Sequence, residues 1–154
     1  MSAEARFLQL GLELPPAPKA VGLYRPVVEL GGLLYLSGHG PLRPDGTLLR
    51  GRLGDDLDVP AGFQAARQTG LAVLATLRGH CGRLDAIARL VKTFGLVQAT
   101  ASFTDHPAVI NGFSELMRDV FGEQDGVAAR SAVGAASLPG GMAVEIEAIF
   151  ELAR

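Results

Sequence analysis

The sequence contains no tryptophan and only one cysteine, Cys81. A lone cysteine cannot form a disulfide within the chain, so the cysteine content gives no sign of an oxidising compartment. No stretch approaches the roughly 18 consecutive apolar residues that a membrane-spanning helix needs. Residues 1–16 also lack the basic start and apolar run of a signal peptide. These absences predict a cytoplasmic protein with no membrane partner.

An excess of positive charge is missing as well. The 14 Lys and Arg residues are outnumbered by 16 Asp and Glu residues, which gives a net charge of −2 and an isoelectric point near 5.9. Proteins whose main ligand is RNA or DNA carry a basic face that neutralises phosphates. The charge balance therefore argues against a nucleic acid as the partner.

The chain does contain enough apolar sequence for one folded domain. Of its 154 residues, 48% are hydrophobic and 19% are charged, so a single domain over residues 1–154 can bury a core without disulfides or metals. Residues 1–16 end in two prolines and are predicted to form an extended N-terminal lead-in.

Hydrophobic periodicity predicts the order of the elements. Steps of three and four indicate helices, and apolar or alternating runs indicate strands. The predicted order is two strands, a helix, a strand, a helix and two strands, over residues 23–30, 33–37, 59–81, 88–100, 107–121, 130–137 and 142–152. The first two strands flank Gly31-Gly32, a pair suited to a tight hairpin turn. This pattern predicts an α+β fold with both helices on one face of the sheet.

Three segments need a separate interpretation. Residues 37–46 are rich in Gly, Pro and Asp and are predicted to be a loop. Residues 46–58 show no clear period and are predicted to be a surface segment. The strand at residues 88–100 is apolar on both faces apart from Lys92, so it needs cover from both sides, from helices or from another subunit.

The last two strands carry a cluster of polar residues. If the LPGG sequence at residues 138–141 closes a hairpin with Ser137 opposite Met142, directly opposed residues point the same way. The residues that then share one face are Arg130, Ala132, Gly134, Glu145 and Glu147. Since the apolar alternate face of the last strand must be buried by the helices, we expect this polar face to point away from them.

Such a face could either bind a ligand or form an ordinary ion pair. The planar guanidinium of Arg130 can bind a carboxylate with two hydrogen bonds. A partly buried Glu145 beside Glu147 would have a raised pKa, which suits proton transfer near neutral pH. An Arg–Glu salt bridge, or an ion pair between subunits, would use the same residues without chemistry.

Four segments, in this order, closely resemble the RidA/YjgF family: SGHGP (37–41), VINGF (109–113), AARSAVG (128–134) and LPGGMAVEIEAI (138–149). Members of that family are known as reactive-intermediate deaminases and were historically labelled endoribonuclease L-PSP or translation inhibitor. The resemblance covers residues 17–152. It implies a chorismate-mutase-like mixed sheet with two helices on one face, a homotrimer, and ligand sites in the clefts between subunits. It implies no metal and no other cofactor.

The resemblance also implies roles for individual residues. Arg130 would bind the carboxylate of a 2-imino or 2-enamino acid, and Glu145 would position the water that converts it to a 2-oxo acid and ammonia. Tyr24, Ser37 and Asn111 match the remaining pocket positions of the family. Two more residues, His39 beside Ser37 and the small Ala132, are predicted to line the same substrate site, although His39 also fits an ordinary loop residue.

The resemblance leaves three functions open. The first is imine or enamine deamination. The second is a non-catalytic trimer that binds small carboxylates. The third is RNA cleavage or translation inhibition, against which stand the acidic isoelectric point and the lack of two convergent histidines. The chain reads SGH and AAR where many deaminating members read SGQ and PAR, and its 43–56 segment is longer than in the shortest members, features typical of a side branch.

Overall fold

The computed structural model describes residues 1–154 and contains four helices and five strands. The helices are α1 Ala3–Gln9, α2 Val59–Cys81, α3 His106–Phe121 and α4 Glu123–Gly126, and the strands are β1 Val27–Leu30, β2 Leu33–His39, β3 Ile87–Gln98, β4 Ala129–Ala135 and β5 Val144–Leu152. None of the helices has the length and hydrophobicity needed to cross a membrane.

The strands form one mixed sheet in the order β1-β2-β5-β3-β4. β4 is parallel to β3, and the other neighbours are antiparallel. α2 and α3 pack together over one face, approaching so closely that a Cβ on Gly112 would lie 2.0 Å from the carbonyl oxygen of Phe63. The core beneath them is centred on Phe113, Leu74, Ile146 and Phe150, all fully buried. The predicted α+β architecture with both helices on one face is therefore correct.

The two long helices begin and end close to where the periodicity predicts. The Asp58 carboxylate accepts a hydrogen bond of 2.9 Å from the Ala61 N–H at the start of α2, and Gly82, with φ of 80°, ends it. This N-cap satisfies a backbone donor that the helix itself leaves free. α3 begins one residue before the prediction, at His106, and ends before Gly122.

The first hairpin is also confirmed. Leu30 pairs with Leu33, and the two turn residues Gly31 and Gly32 have φ of 60° and 78°, a turn conformation that glycine adopts without strain. β2, however, continues through Ser37 to His39. The prediction of a loop from residue 37 was therefore wrong at its start.

The predicted hairpin between the last two strands was wrong. β3 lies between β4 and β5, so Arg130 pairs with Thr93 and Glu147 pairs with Phe94. The LPGG segment forms a short 3-10 turn at Pro139–Gly141 instead of a hairpin turn. β5 occupies the centre of the sheet because its apolar alternate residues fit under the helices and its backbone can pair on both sides.

The N-terminal segment is not an extended lead-in. α1 is capped by Ser2, and it is held by tertiary contacts. The Glu4 carboxylate accepts hydrogen bonds of 2.6 Å and 2.9 Å from Arg78 of α2, and Phe7 is buried. Such contacts stabilise a seven-residue helix that would be marginal alone.

The segment at residues 46–58 is not merely superficial either. Leu53 is fully buried, and its N–H donates a 2.8 Å hydrogen bond to the Gln98 carbonyl oxygen at the end of β3. The missing periodicity reflects irregular backbone, which nevertheless contributes to the core.

Candidate functional site

Four of the predicted site residues, His39 among them, lie around one cavity on the side of the sheet opposite the helices. Tyr24, Ser37 and Glu145 line this cavity, which has a volume of about 740 Å³. The remaining wall comes from residues 18–21, 38–48 and 139–142. The cavity falls within the size range of small-molecule sites, and we refer to it as the Glu145 cavity.

Glycine at position 38 makes room for the Glu145 carboxylate. A Cβ on Gly38 would lie 2.4 Å from Oε1 and 2.8 Å from Cδ of Glu145, so the carboxylate lies directly on the backbone of β2. Partial burial raises the pKa of Glu145, and the neighbouring Glu147 raises it further. Both effects favour the protonated form of this carboxyl group relative to an exposed glutamate.

The segment that carries Tyr24 is attached to β2 by Ser37. The Ser37 hydroxyl donates a 2.6 Å hydrogen bond to the Arg25 carbonyl oxygen. The Tyr24 hydroxyl accepts a hydrogen bond of 3.4 Å from the Val21 N–H. Ser37 therefore connects this part of the cavity wall to β2.

Arg130 and Asn111 form a second, separate group. The Arg130 guanidinium donates hydrogen bonds of 2.8 Å to Asn111 Oδ1 and 3.2 Å to Ser114 Oγ, both on α3. Together with Thr93 they line a pocket of about 250 Å³ beside α4. Sequence reasoning missed Ser114. The signal was its spacing of three residues from Asn111, which places both side chains on one helix face.

The two groups lie on opposite faces of the sheet, so the prediction that Arg130 and Glu145 share a face was wrong. Arg130 pairs with the buried Thr93 and faces the helices, whereas Glu145 pairs with Leu96 and faces away from them. Because β3 lies between them, β4 and β5 are about 10 Å apart in the sheet. Arg130 avoids burial because β4 is the edge strand, where its side chain reaches solvent beside α3.

His39 has a structural role. Its ring is buried, with Nδ1 2.7 Å from the Ser37 carbonyl oxygen and Nε2 2.8 Å from the Thr76 hydroxyl on α2. Both ring nitrogens are thus engaged within the protein, and the residue is also among those that line the Glu145 cavity. β2 extends to His39 and turns its ring toward the core, and a substrate-binding role for this residue stays a prediction.

We expect His39 to make the protein less stable in mild acid. Burial lowers its pKa from the ordinary value of 6.5, so below that pH the unfolded chain binds a proton that the folded chain resists. The free energy of unfolding should therefore fall as the pH drops below about 6.5, by up to about 1.4 kcal/mol per unit of pKa difference. Urea titrations near pH 7 and pH 5 would measure this loss. A smaller loss is expected in His39→Gln, and an equal loss in that variant would contradict the assignment.

Ala132 lies in neither group. It follows Arg130 by two residues on the helix-facing side of β4, where it pairs with Gly95 and packs against the hydrophobic core. The predicted face of Ala132 was therefore wrong for the same reason as that of Arg130, and its contact with substrate stays a prediction.

The sheet face opposite the helices carries exposed apolar side chains beside a few polar ones, which include Lys92, Ser131 and Glu147. Val28 and Tyr35 are 48% and 42% exposed, and Val133 is 40% exposed. Phe94 and Ile149 border a depression of about 630 Å³ between them. An exposed apolar patch of this kind on a folded domain marks an interaction surface.

No three His, Cys, Asp or Glu residues lie close enough together to hold a metal ion. The candidate site consists instead of the Arg130 guanidinium, a partly buried carboxyl group and an open cavity. Two helices packed on one face of a mixed sheet of this order are the architecture of the chorismate mutase-like fold class.

Comparison with known proteins gives the family. The family model described as "YjgF/chorismate_mutase-like, putative endoribonuclease" matches residues 4–140. Protein TCP17 of Trypanosoma cruzi is 40% identical over 148 residues, which are 96% of this chain and 92% of TCP17. The chain therefore belongs to the YjgF/chorismate mutase-like family.

Solved structures agree with this assignment. A Shewanella oneidensis structure with the same endoribonuclease description is 30% identical and has a TM-score of 0.93, covering 99% of this chain and 100% of its own. RidA of an Antarctic Psychrobacter is 29% identical with a TM-score of 0.62, over 88% and 93% of the two chains. Escherichia coli TdcF with bound serine is 25% identical with a TM-score of 0.63, over 92% and 97%. The function is accordingly of the Rid/YjgF type.

Proposed function

We propose that the protein hydrolyses 2-imino acids to 2-oxo acids and ammonia at a site assembled between two copies of the chain. One observation carries this proposal: Arg130 and Glu145 lie on opposite faces of the same sheet. Arg130 would bind the substrate carboxylate, and Glu145 would transfer protons. Since both groups are needed for this chemistry, Arg130 of one copy must meet Glu145 of another.

The uncovered sheet face supports an assembly of this kind. Its apolar side chains would be removed from water when copies pack around a common axis. We propose a homotrimer, in which three such faces enclose the centre and three equivalent clefts form between neighbours. Each cleft would then hold the Arg130 pocket of one copy and the Glu145 cavity of the next.

Arg130 would orient the substrate. Its guanidinium is held by Asn111 and Ser114, which leaves its other N–H groups free to bind the substrate carboxylate. Neutralising that carboxylate reduces repulsion of the negative charge that develops as water approaches the neighbouring carbon.

Glu145 would handle the protons. Its carboxylate removes a proton from water as the water oxygen bonds to C2, and the C=N electron pair moves to nitrogen, which takes up a proton. The nitrogen receives the proton that Glu145 took from water. In the resulting carbinolamine the hydroxyl proton passes by way of Glu145 to the amino nitrogen, the C=O bond forms, and the C–N bond breaks to release ammonia. One water is consumed, and the raised pKa of Glu145 suits both proton transfers.

The relatives support a small carboxylate as the ligand. TdcF was solved with bound serine, a small amino acid, and RidA shares this fold. A non-catalytic carboxylate-binding protein would use Arg130 in the same way, so turnover separates the two functions. The endoribonuclease description of the family fits less well with a net charge of −2, because RNA binding depends on basic side chains.

Turnover of 2-iminopropanoate tests the proposal. The imine can be generated from alanine by an amino acid oxidase and trapped with semicarbazide, so that an active protein lowers the yield of trapped imine. We expect wild-type protein to accelerate hydrolysis and Arg130→Ala to reduce kcat/KM by about 10³-fold. Light scattering should give a mass three times 16.1 kDa. Equal rates for the two proteins, or a monomer at micromolar concentration, would refute the proposal.

A further inference from the structure

We infer that a cavity at the carboxyl ends of β3 and β4 binds a small organic phosphate, and that it is a ligand site separate from the Glu145 cavity and the Arg130 pocket. It has a volume of about 450 Å³ and is lined by Arg52, Thr100, Phe103, His106, Gly134 and four alanines. We call it the Arg52 cavity. The inference goes beyond the proposed function and does not depend on it.

The position of the Arg52 cavity in the sheet is typical of ligand sites. β3 and β4 are the only parallel neighbours, and α3 lies between them in the chain. Ligands commonly bind in the crevice outside the carboxyl ends of parallel strands. Gly134 follows Arg130 by four residues, so about 13 Å of β4 separates the two. One three-carbon imino acid therefore cannot occupy both places.

The lining carries a positive charge that the protein does not neutralise. Arg52 is its only charged residue, and the half-buried guanidinium makes no hydrogen bond or ion pair within the chain. The Asp56 carboxylate accepts a 2.6 Å hydrogen bond from the Arg52 backbone N–H, but it does not line the cavity. An unpaired guanidinium in a half-enclosed space favours an anionic ligand.

The other polar side chains favour a phosphate over a carboxylate. His106 and Thr100 belong to the start of α3 and to the loop after β3, and Arg52 belongs to the segment before α2. Each offers N–H or O–H donors. The two oxygens of a carboxylate lie in one plane and are satisfied by a single guanidinium, whereas a phosphate group presents three oxygens in different directions. Donors from three separate segments match the phosphate.

The rest of the lining fits a compact apolar group attached to the phosphate. Phe103 packs edge-on against the His106 ring, with 5.3 Å between the ring centroids, and the remaining lining residues apart from Gly134 are alanines. A Cβ on Gly134 would lie 2.7 Å from Nε2 of His106, so the glycine lets the imidazole lie against β4. The cavity is larger than a phosphate group alone needs, and its apolar walls would exclude water from an organic group.

The walls of the cavity are held by backbone hydrogen bonds. The Leu53 N–H donates a 2.8 Å bond to the Gln98 carbonyl oxygen, and the Thr100 N–H donates a 2.9 Å bond to the Leu53 carbonyl oxygen. These bonds attach the residue next to Arg52 to the end of β3. A wall that is already formed loses little conformational entropy when a ligand binds.

Calorimetric titration of the wild-type protein tests the inference. Phenyl phosphate is the probe, because it joins a phosphate to a compact apolar ring. We expect saturable binding with a Kd below about 1 mM, about tenfold tighter than the binding of benzoate. Inorganic phosphate should bind more weakly than phenyl phosphate, since it lacks the apolar contacts. Absence of saturable binding, or benzoate binding as tightly as phenyl phosphate, would overturn the inference.

Two variants and a matched control locate the probe. Arg52→Gln should weaken phenyl phosphate binding by about tenfold or more, and His106→Gln by about threefold or more. Arg118→Gln removes the same charge from an exposed position of α3, where Arg118 pairs only with its neighbour Asp119, and should leave the affinity unchanged. Full affinity in Arg52→Gln, or an equal loss in Arg118→Gln, would mean that the probe does not bind in the Arg52 cavity.

Two further measurements keep the test independent of the folding of those variants and of the proposed function. In NMR spectra of the wild-type protein, phenyl phosphate should shift the ring signals of His106 and Phe103, and their absence from the shifted signals would contradict the inference. Arg130→Ala should bind phenyl phosphate with wild-type affinity, whereas a loss of binding would place the probe in the Arg130 pocket and overturn the assignment. None of these results requires turnover, so they stand whether or not imines are hydrolysed.

Discussion

Co-expression of Arg130→Ala chains with Glu145→Gln chains should restore imine hydrolysis that neither variant shows alone. The reason is the position of the two side chains on opposite faces of one sheet. If each site combines Arg130 of one copy with Glu145 of the next, a mixed assembly contains sites in which both contributing copies retain the residue that matters. Each pure variant lacks one of the two groups at every site.

The expected recovery of activity follows from the cyclic order of the three copies in a trimer. In a closed trimer with randomly mixed chains, a site is complete only when an Arg130-bearing copy precedes a Glu145-bearing copy, which occurs at about one quarter of the sites. Every mixed trimer contains two copies of one variant and one copy of the other, and therefore one complete site in three. After purification on both tags we expect about one third of wild-type kcat per site, against a loss of about 10³-fold for either variant alone. Differently tagged chains, purified on both tags, would ensure that only mixed assemblies are measured.

A control experiment distinguishes the effect of mixing chains in one assembly from the effect of pairing Arg130 with Glu145 across copies. A chain that carries both substitutions, co-expressed with wild type, supplies complete sites only where two wild-type copies adjoin. Its activity also follows from random mixing, so it calibrates the composition of the preparation. If the mixed preparation is no more active than the two variants measured separately and added, Arg130 and Glu145 do not act together across copies. That result would contradict the proposed site between copies.

Local signals in the sequence were sufficient for the helices and the first hairpin. Asp58 and Gly82 bound an amphipathic stretch whose start and end depend on neighbouring residues. Gly31 and Gly32 likewise determine a turn between adjacent strands. In each case the residues that determine the structure lie within one or two turns of it, so the chain order already contains the information.

Strand order could not be obtained in this way. The alternation of β5 correctly predicts that Ile146 is buried and that Glu145 lies on the other face. It does not tell which strands flank β5. A glycine-rich turn before β5 suggested pairing with β4, whereas burial favours a central place between β2 and β3, because a strand with one strongly apolar face gains most from cover and pairing on both sides.

The same limit applies to the site. Arg130, Asn111 and Glu145, which the family resemblance singles out, each line a cavity, and their functional roles stay predictions. Their grouping came from the assumed hairpin and failed with it. The contacts of His39 with Thr76 and of Glu4 with Arg78 join residues 37 and 74 positions apart, and no local pattern indicates such pairs.

Gly38→Ala should reduce kcat/KM by about 10²-fold while the protein remains folded. The φ angle of Gly38 is not positive, so alanine fits the backbone there without strain. The added Cβ would instead come within 2.4 Å of Oε1, 2.8 Å of Cδ and 2.9 Å of Cγ of Glu145. Because the end of a glutamate side chain moves more easily than two paired strands, the carboxyl group should shift by about 1 Å, a displacement that costs about 10²-fold in rate.

The measurements are kcat/KM for imine hydrolysis and the free energy of unfolding in urea. Gly79→Ala is the matched control, since a Cβ at this position of α2 would lie 3.8 Å from the Ala17 Cβ, an ordinary contact. It should keep wild-type activity and stabilise the helix by up to about 1 kcal/mol. Full activity in a folded Gly38→Ala protein would mean that the carboxyl group works from a different position, and that its close contact with β2 has no part in the reaction.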